Sequence, residues 1–136
     1  MKVKDHHIYA QVIEEHQLEF GDFYFFDNLV ISEIHEEVLF NWEKAKIVID
    51  IAERIYGKGC QPYYISNRIY KYSIIPKDWI RFFKNRYTIK AYLIVTYNSS
   101  TSLTNLMFEK LFFGNNNLPA IKKFQTLADA INFLDK

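Results

Sequence analysis

Apolar and polar residues alternate through the first third of the chain. Leu18, Phe20, Phe23 and Phe25 stand among Glu19, Asp22 and Tyr24, and a second β-rich run, Leu29-Val-Ile-Ser-Glu-Ile34, follows Asp27-Asn28. Two such runs around a pair of residues that tolerate positive φ predict a β-hairpin. Residues 8–13 (Ile-Tyr-Ala-Gln-Val-Ile) fit a strand or a short helix, since six residues satisfy either period. From Trp42 the period changes. Trp42, Ala45, Val48, Ile49, Ala52, Ile55 and Tyr56 recur at helical spacing between Asn41, an N-cap residue, and Gly57, a C′ residue, so a helix is predicted there. Ile47 and Ile51 widen its apolar stripe, which implies cover on more than one side.

After the turn at Gly57-Lys-Gly59, Pro62-Tyr-Tyr-Ile65 reads as a short buried strand, and the pattern then breaks into Ser66, Asn67 and Arg68. Residues 69–75 fit an extended segment or an aromatic loop equally. Pro76 suits the first turn of another helix, with Asp78 near its positive end and Trp79, Ile80 and Phe83 on one face. Ala91-Tyr-Leu-Ile-Val-Thr-Tyr97 is nearly continuous and β-rich, as in a central parallel strand buried on both faces. Asn98, Ser99, Ser100, Thr101 and Ser102 offer N-caps for a helix carrying Leu103, Leu106, Met107, Lys110 and Leu111, which ends at Gly114. Ile121-Lys-Lys-Phe124 reads as a charged edge strand, and Thr126 caps a last helix with Leu127, Ala130, Ile131 and Leu134 on one face. The order is β-β-α-β-α-β-α-β-α. It predicts an α/β fold with a mostly parallel sheet of about five strands, begun by an N-terminal hairpin, and about four helices.

The length of 136 residues fits one domain spanning 1–136, with residues 1–16 as an extension. Aromatics make up 18% of the chain and apolar residues 49%, so the chain folds around an aromatic-rich core rather than staying disordered. A net charge of +1 supplies no field for nucleic acid or an anionic membrane. Cys60 stands alone, which excludes an internal disulfide and a multi-cysteine zinc site and fits a reducing compartment. The polar start, Met1-Lys-Val-Lys-Asp-His-His, and the absence of a membrane-length apolar run lead us to expect a cytoplasmic protein.

Phe23-Tyr-Phe-Phe-Asp27, Phe40-Asn-Trp-Glu-Lys-Ala-Lys46, Tyr64-Ile-Ser-Asn-Arg68, Ser73 with Pro76-Lys-Asp-Trp79, and Phe108-Glu-Lys-Leu-Phe-Phe113 carry a resemblance. With the element order, from about residue 18 onwards, they are similar to the SpoIIAA-like and STAS family of small α/β domains, including the STAS/SEC14 type. The resemblance implies a SpoIIAA-like fold and a regulatory module that binds a protein partner. It also implies a phosphorylatable serine after the third strand, where Ser66 and Ser73 lie. The Asp-Ser-Gly wording of that switch is absent, since Asn67-Arg68 follow Ser66 and Ile74-Ile75 follow Ser73.

Ser66, Asn67 and Arg68 carry the strongest chemical signal, because Arg offers a planar fork of donors while Ser and Asn add adaptable hydrogen bonds for an anion or a carboxylate. A structural loop explains them too, with Asn67 bonding turn backbone and Arg68 paired with Asp78. Asn98, Ser99 and Ser100 form a second candidate cluster, at a helix start with N–H groups for a phosphate, or as ordinary caps. The candidate partner-binding residues are therefore Ser66, Asn67, Arg68, Ser73, Asp78, Asn98, Ser99 and Ser100. His6, His7, His16 and His35 have no ligand spacing for a metal, and Cys60 has no neighbouring base unless His35 approaches it in the fold. No cofactor, metal or catalytic set is expected. The leading reading is a non-enzymatic module that binds a protein partner or a second copy of itself. The aromatic surplus supports the alternative, a small-ligand or lipid carrier of the SEC14 type.

Overall fold

The computed structural model describes residues 1–75, 77–78, 89–97 and 120–135. Two 3-10 turns, Val3–Asp5 and His7–Gln11, lead into strands β1 (Glu14–Leu18), β2 (Gly21–Phe26) and β3 (Leu29–Ile34). Strand β4 (Leu39–Phe40), helix α1 (Trp42–Tyr56), β5 (Tyr63–Arg68), β6 (Ser73–Ile74), β7 (Ala91–Thr96), β8 (Ala120–Phe124) and helix α2 (Leu127–Leu134) follow. The main sheet has six strands in the order β1-β2-β3-β5-β7-β8, and β4 pairs with β6 in a separate two-stranded ladder. The fold is α/β with a mixed sheet: β1, β2 and β3 run antiparallel, and β3, β5, β7 and β8 run parallel.

The expected hairpin is β2–β3, and Asn28 takes the positive φ of 53° that its turn needs. The sixth strand, β1, departs from the five-strand expectation. Its Glu14-Glu-His-Gln wording has little alternation because it is an edge strand held by main-chain pairing to β2 and by Arg54 of α1, whose guanidinium grips Glu14 at 2.6 Å. Residues 8–13, open in the sequence, are mostly the 3-10 turn His7–Gln11, whose first turn is capped by the His6 ring accepting from the Ile8 N–H. Two α-helices lie among the described residues. Of the other two expected, the one at Pro76 is described only at residues 77–78, which are helical, and the one after residues 98–102 falls outside the described residues.

α1 begins and ends where the sequence predicts. The Asn41 side chain accepts from the Lys44 N–H, and the Gly57 N–H closes the last turn on Glu53. The helix covers one face of the sheet, meeting Phe23, Phe25, Val30 and Ile34 through Val48, Ile51, Ala52 and Ile55. α2 covers the other face, where Leu127, Ala130 and Ile131 pack with Ile31, Ile65 and Leu93, and Val3 and Ile8 join them from the N-terminal turns. Phe23 and Phe25 point to one layer and Tyr24 to the other, as strand alternation demands, and all three are fully buried. β3, β5, β7 and β8 follow one another in chain order, so the parallel half contains no reversal of strand order and no crevice of the doubly wound kind.

Candidate functional site

β5 runs through Arg68, so Ser66, Asn67 and Arg68 are strand residues rather than a loop, and each is at most 2% exposed. Alternation therefore separates them. Ser66 and Arg68 face the α1 layer, whereas Asn67 faces the α2 layer. The three residues that the sequence groups together serve two different buried clusters.

On the α2 side, Asn67 is hydrogen-bonded to Glu33, near the carboxyl end of β3. Asn67 Nδ2 donates to Glu33 Oε2 at 2.9 Å and to the Met1 carbonyl at 3.0 Å, and its Oδ1 lies 2.6 Å from the Tyr97 hydroxyl. The Val3 N–H completes the group, donating to Glu33 Oε2 at 2.8 Å. Burial raises the Glu33 carboxyl above its ordinary value, against the pull of these two donors. Burial likewise pushes the Tyr97 hydroxyl up to about 12.

On the α1 side, the described partners of Arg68 are two hydroxyls and a ring face. Its Nε donates to Ser66 Oγ at 3.0 Å, its Nη2 to the Tyr92 hydroxyl at 3.2 Å, and its guanidinium carbon lies 5.3 Å from the centre of the Tyr72 ring. The Ser66 and Tyr72 hydroxyls are 3.0 Å apart, and Tyr64 stacks on Tyr92 at 5.4 Å. Ser32, in register with Ser66, is buried and its hydroxyl has no hydrogen bond among the described residues. Among the described residues, the hydrogen-bond partners of Ser66 Oγ are the Tyr72 hydroxyl and Arg68 Nε.

Asp78 does not pair with Arg68, as the loop reading expected. Its Oδ2 accepts the Trp42 N–H at 2.7 Å, so it caps α1 together with Asn41. Ser73 lies in β6 opposite Leu39 of β4, and both are exposed. Beside them Phe40, Asn41, Trp42, Ala45, Ile74, Ile75 and Asp78 line a shallow cleft whose walls are largely apolar. Of the two serines singled out for modification, Ser66 is buried and Ser73 is open to solvent. Asn98, Ser99 and Ser100 lie outside the described residues.

His35 is engaged by the Glu19 carbonyl at 3.1 Å and by Asp22 at 3.7 Å, and no hydrogen bond joins it to Cys60. The half-buried Cys60 thiol is itself pushed up by burial, away from thiolate character. No group of three metal-ligating side chains occurs among the described residues, and no helix among them is long and apolar enough to cross a membrane. Glu33, Tyr92 and Tyr97 are the polar residues that the sequence reading misses. Glu33 was the one with a visible signal, a carboxylate inside the β-rich run 29–34. No family model matches this chain, and no curated protein or solved structure matches it.

Proposed function

We propose that this chain is a non-enzymatic, STAS-like interaction module, and that its contact surface is the β4–β6 ladder with the cleft between it and α1. One observation carries the reading: the β4–β6 ladder shows an exposed Leu39, at 49%, and an exposed Ser73 on one face, while its Phe40 and Ile74 line an apolar cleft against α1 on the other. Exposed apolar surface next to a polar rim is the composition of a protein contact. The buried state of Ser66, Asn67 and Arg68 supports a structural role for them and moves the partner-binding role to Leu39, Ser73 and the cleft. The partner is a protein, or a second copy of the chain, met in the cytoplasm.

The test substitutes the exposed Leu39→Asp and measures partner capture and self-association beside the wild-type protein, with circular dichroism to check the fold. Capture or dimerisation by the wild type that Leu39→Asp abolishes is the expected result. A wild-type chain that stays monomeric and unaccompanied, or a variant that binds as well as the wild type, refutes the surface. Arg68→Ala and Asn67→Ala are unsuitable probes, because both side chains are buried within the fold. No observation among the described residues favours the carrier alternative, since Phe23, Tyr24 and Phe25 are packed in the two core layers.

A further inference from the structure

Residues 1–11 cross the α2 face of the sheet as a strap, from the carboxyl ends of β7, β5 and β3 to the amino end of β1. Met1 is fastened through its carbonyl to Asn67 and to the Tyr97 hydroxyl, at 3.0 and 3.1 Å, and the Val3 side chain is wholly buried among core residues. Lys2 lies over the Tyr70 ring at 5.7 Å, and further along Lys4 pairs with Glu15 at 3.3 Å while the Tyr9 hydroxyl donates to the same carboxylate. The strap is therefore attached from the end of β7, through β5 and β3, to β1.

Its central fastening is unusual in charge. Glu33 is 3% exposed and forms no ion pair among the described residues, although a buried ionised carboxylate ordinarily needs one. Both of its donors, the Val3 N–H and Asn67 Nδ2, converge on Oε2. Two N–H donors on one oxygen suit a carboxylate and a neutral acid alike, so it is deep burial without an ion pair that favours the protonated form. The groups that act on Glu33 are Lys2 of the strap, which favours the charged form, Asp22 of β2, which opposes it, and the hydroxyls of Tyr24 and Tyr97. Burial outweighs the favourable contributions of Lys2 and the two N–H donors.

We propose that closure of the strap takes up one proton: Glu33 is the neutral acid while residues 1–11 are docked, and becomes the carboxylate when the strap lifts and water reaches it. Closing draws the proton from solvent, and opening returns it. The sign follows from the direction of the shift. Docking is fully supported below the ordinary Glu value and weakens as pH rises through the raised one, by up to about tenfold per pH unit for a single proton. The strap is thus a pH-sensitive element, held more firmly in acid.

The experiment is native-state amide exchange by NMR, corrected for the intrinsic pH dependence, on the wild type and on Glu33→Gln. The glutamine keeps the oxygen acceptor and stays neutral at every pH. The expected result is that Val3 protection falls as pH rises in the wild type, stays flat in Glu33→Gln, and leaves the β7 amides unchanged in both. Equal slopes in the two proteins overturn the proposal, as does a loss shared by Val3 and β7, which would make Glu33 act on the whole fold. A carbon-13 titration of the Glu33 carboxyl in the wild type serves where the variant does not fold. A midpoint in the ordinary Glu range overturns the proposal, and a raised one supports it.

Discussion

Tyr56 closes α1 onto the hairpin, and replacing it with Phe removes that closure without disturbing the ring. The Tyr56 hydroxyl donates to the carbonyls of Phe26 and Leu29, the two residues that flank the turn between β2 and β3. The ring itself packs at 6.5 Å from Phe25, a contact that phenylalanine preserves. Losing one hydrogen bond costs about 0.5–1.5 kcal/mol, and leaving part-buried carbonyls short of a donor raises this, so Tyr56→Phe should lose about 1–2 kcal/mol at neutral pH. The pH dependence gives a sharper test. Burial pushes the Tyr56 hydroxyl from 10.0 up to about 12, so the folded state holds its proton where the unfolded chain has lost it. The stability contributed by that proton is complete below the unfolded value and is lost as pH rises from there to the folded one. At roughly pH 11 the unfolded tyrosine is favoured by about one factor of ten, or about 1.4 kcal/mol. Phe carries no such penalty, so the gap between wild type and Tyr56→Phe should shrink by about that amount between pH 7 and roughly pH 11. Urea unfolding of both proteins at the two pH values measures it. The other buried tyrosines, Tyr24 and Tyr97, titrate in both proteins and cancel. A gap that stays constant refutes the burial of the Tyr56 hydroxyl in the folded state.

Three further outcomes follow from the same contacts. Asp78→Ala removes the carboxylate from the Trp42 N–H and should cost about 1 kcal/mol in urea unfolding, while Asp78→Asn, which keeps an acceptor, should cost less; equal losses would show that the cap bond is not the cause. Gly21→Ala places a Cβ 3.0 Å from the Glu33 carbonyl oxygen and from the Ile34 Cα, both backbone atoms, so β2 and β3 must part and about 1–3 kcal/mol should be lost; a variant as stable as wild type would show that the strands separate freely. Glu14 is held down to about 2 by Arg54 first and by His16, so its contribution is present above the ordinary Glu value and is lost as pH falls toward 2; Glu14→Gln should flatten the acid limb of the stability profile, and an unchanged limb would assign acid unfolding elsewhere.

What the sequence discloses depends on how local the governing physics is. α1 is legible because the cap at Asn41, the apolar stripe and Gly57 all belong to the helix itself, and the β2–β3 hairpin because its alternation surrounds its own turn. The sequence reading does not resolve β1 as a strand of its own. Its four polar residues stay in a strand only because β2 offers main-chain partners and Arg54 arrives from forty positions away. The same holds for the end of β5. Ser66-Asn67-Arg68 has the composition of a loop, and it remains a strand because Glu33, Tyr72, Tyr92 and Tyr97 satisfy its polar groups from other parts of the chain. The sequence puts Asp78 near the positive end of a helix begun at Pro76, whereas the N–H that it caps belongs to α1. Capping across two elements leaves no trace in local spacing.

The split at the end of β5 also has a meaning for how this chain drifts over generations. Asn67 and Arg68 are covalent neighbours, but a change at Asn67 disturbs Glu33, Tyr97 and the Met1 carbonyl, while a change at Arg68 disturbs Ser66, Tyr72 and Tyr92. Residues that share a hydrogen-bond network compensate one another, and residues that share none change independently. Among relatives of this chain, position 67 should covary with 33 and 97, and position 68 with 66, 72 and 92. The two adjacent letters should carry almost no information about each other.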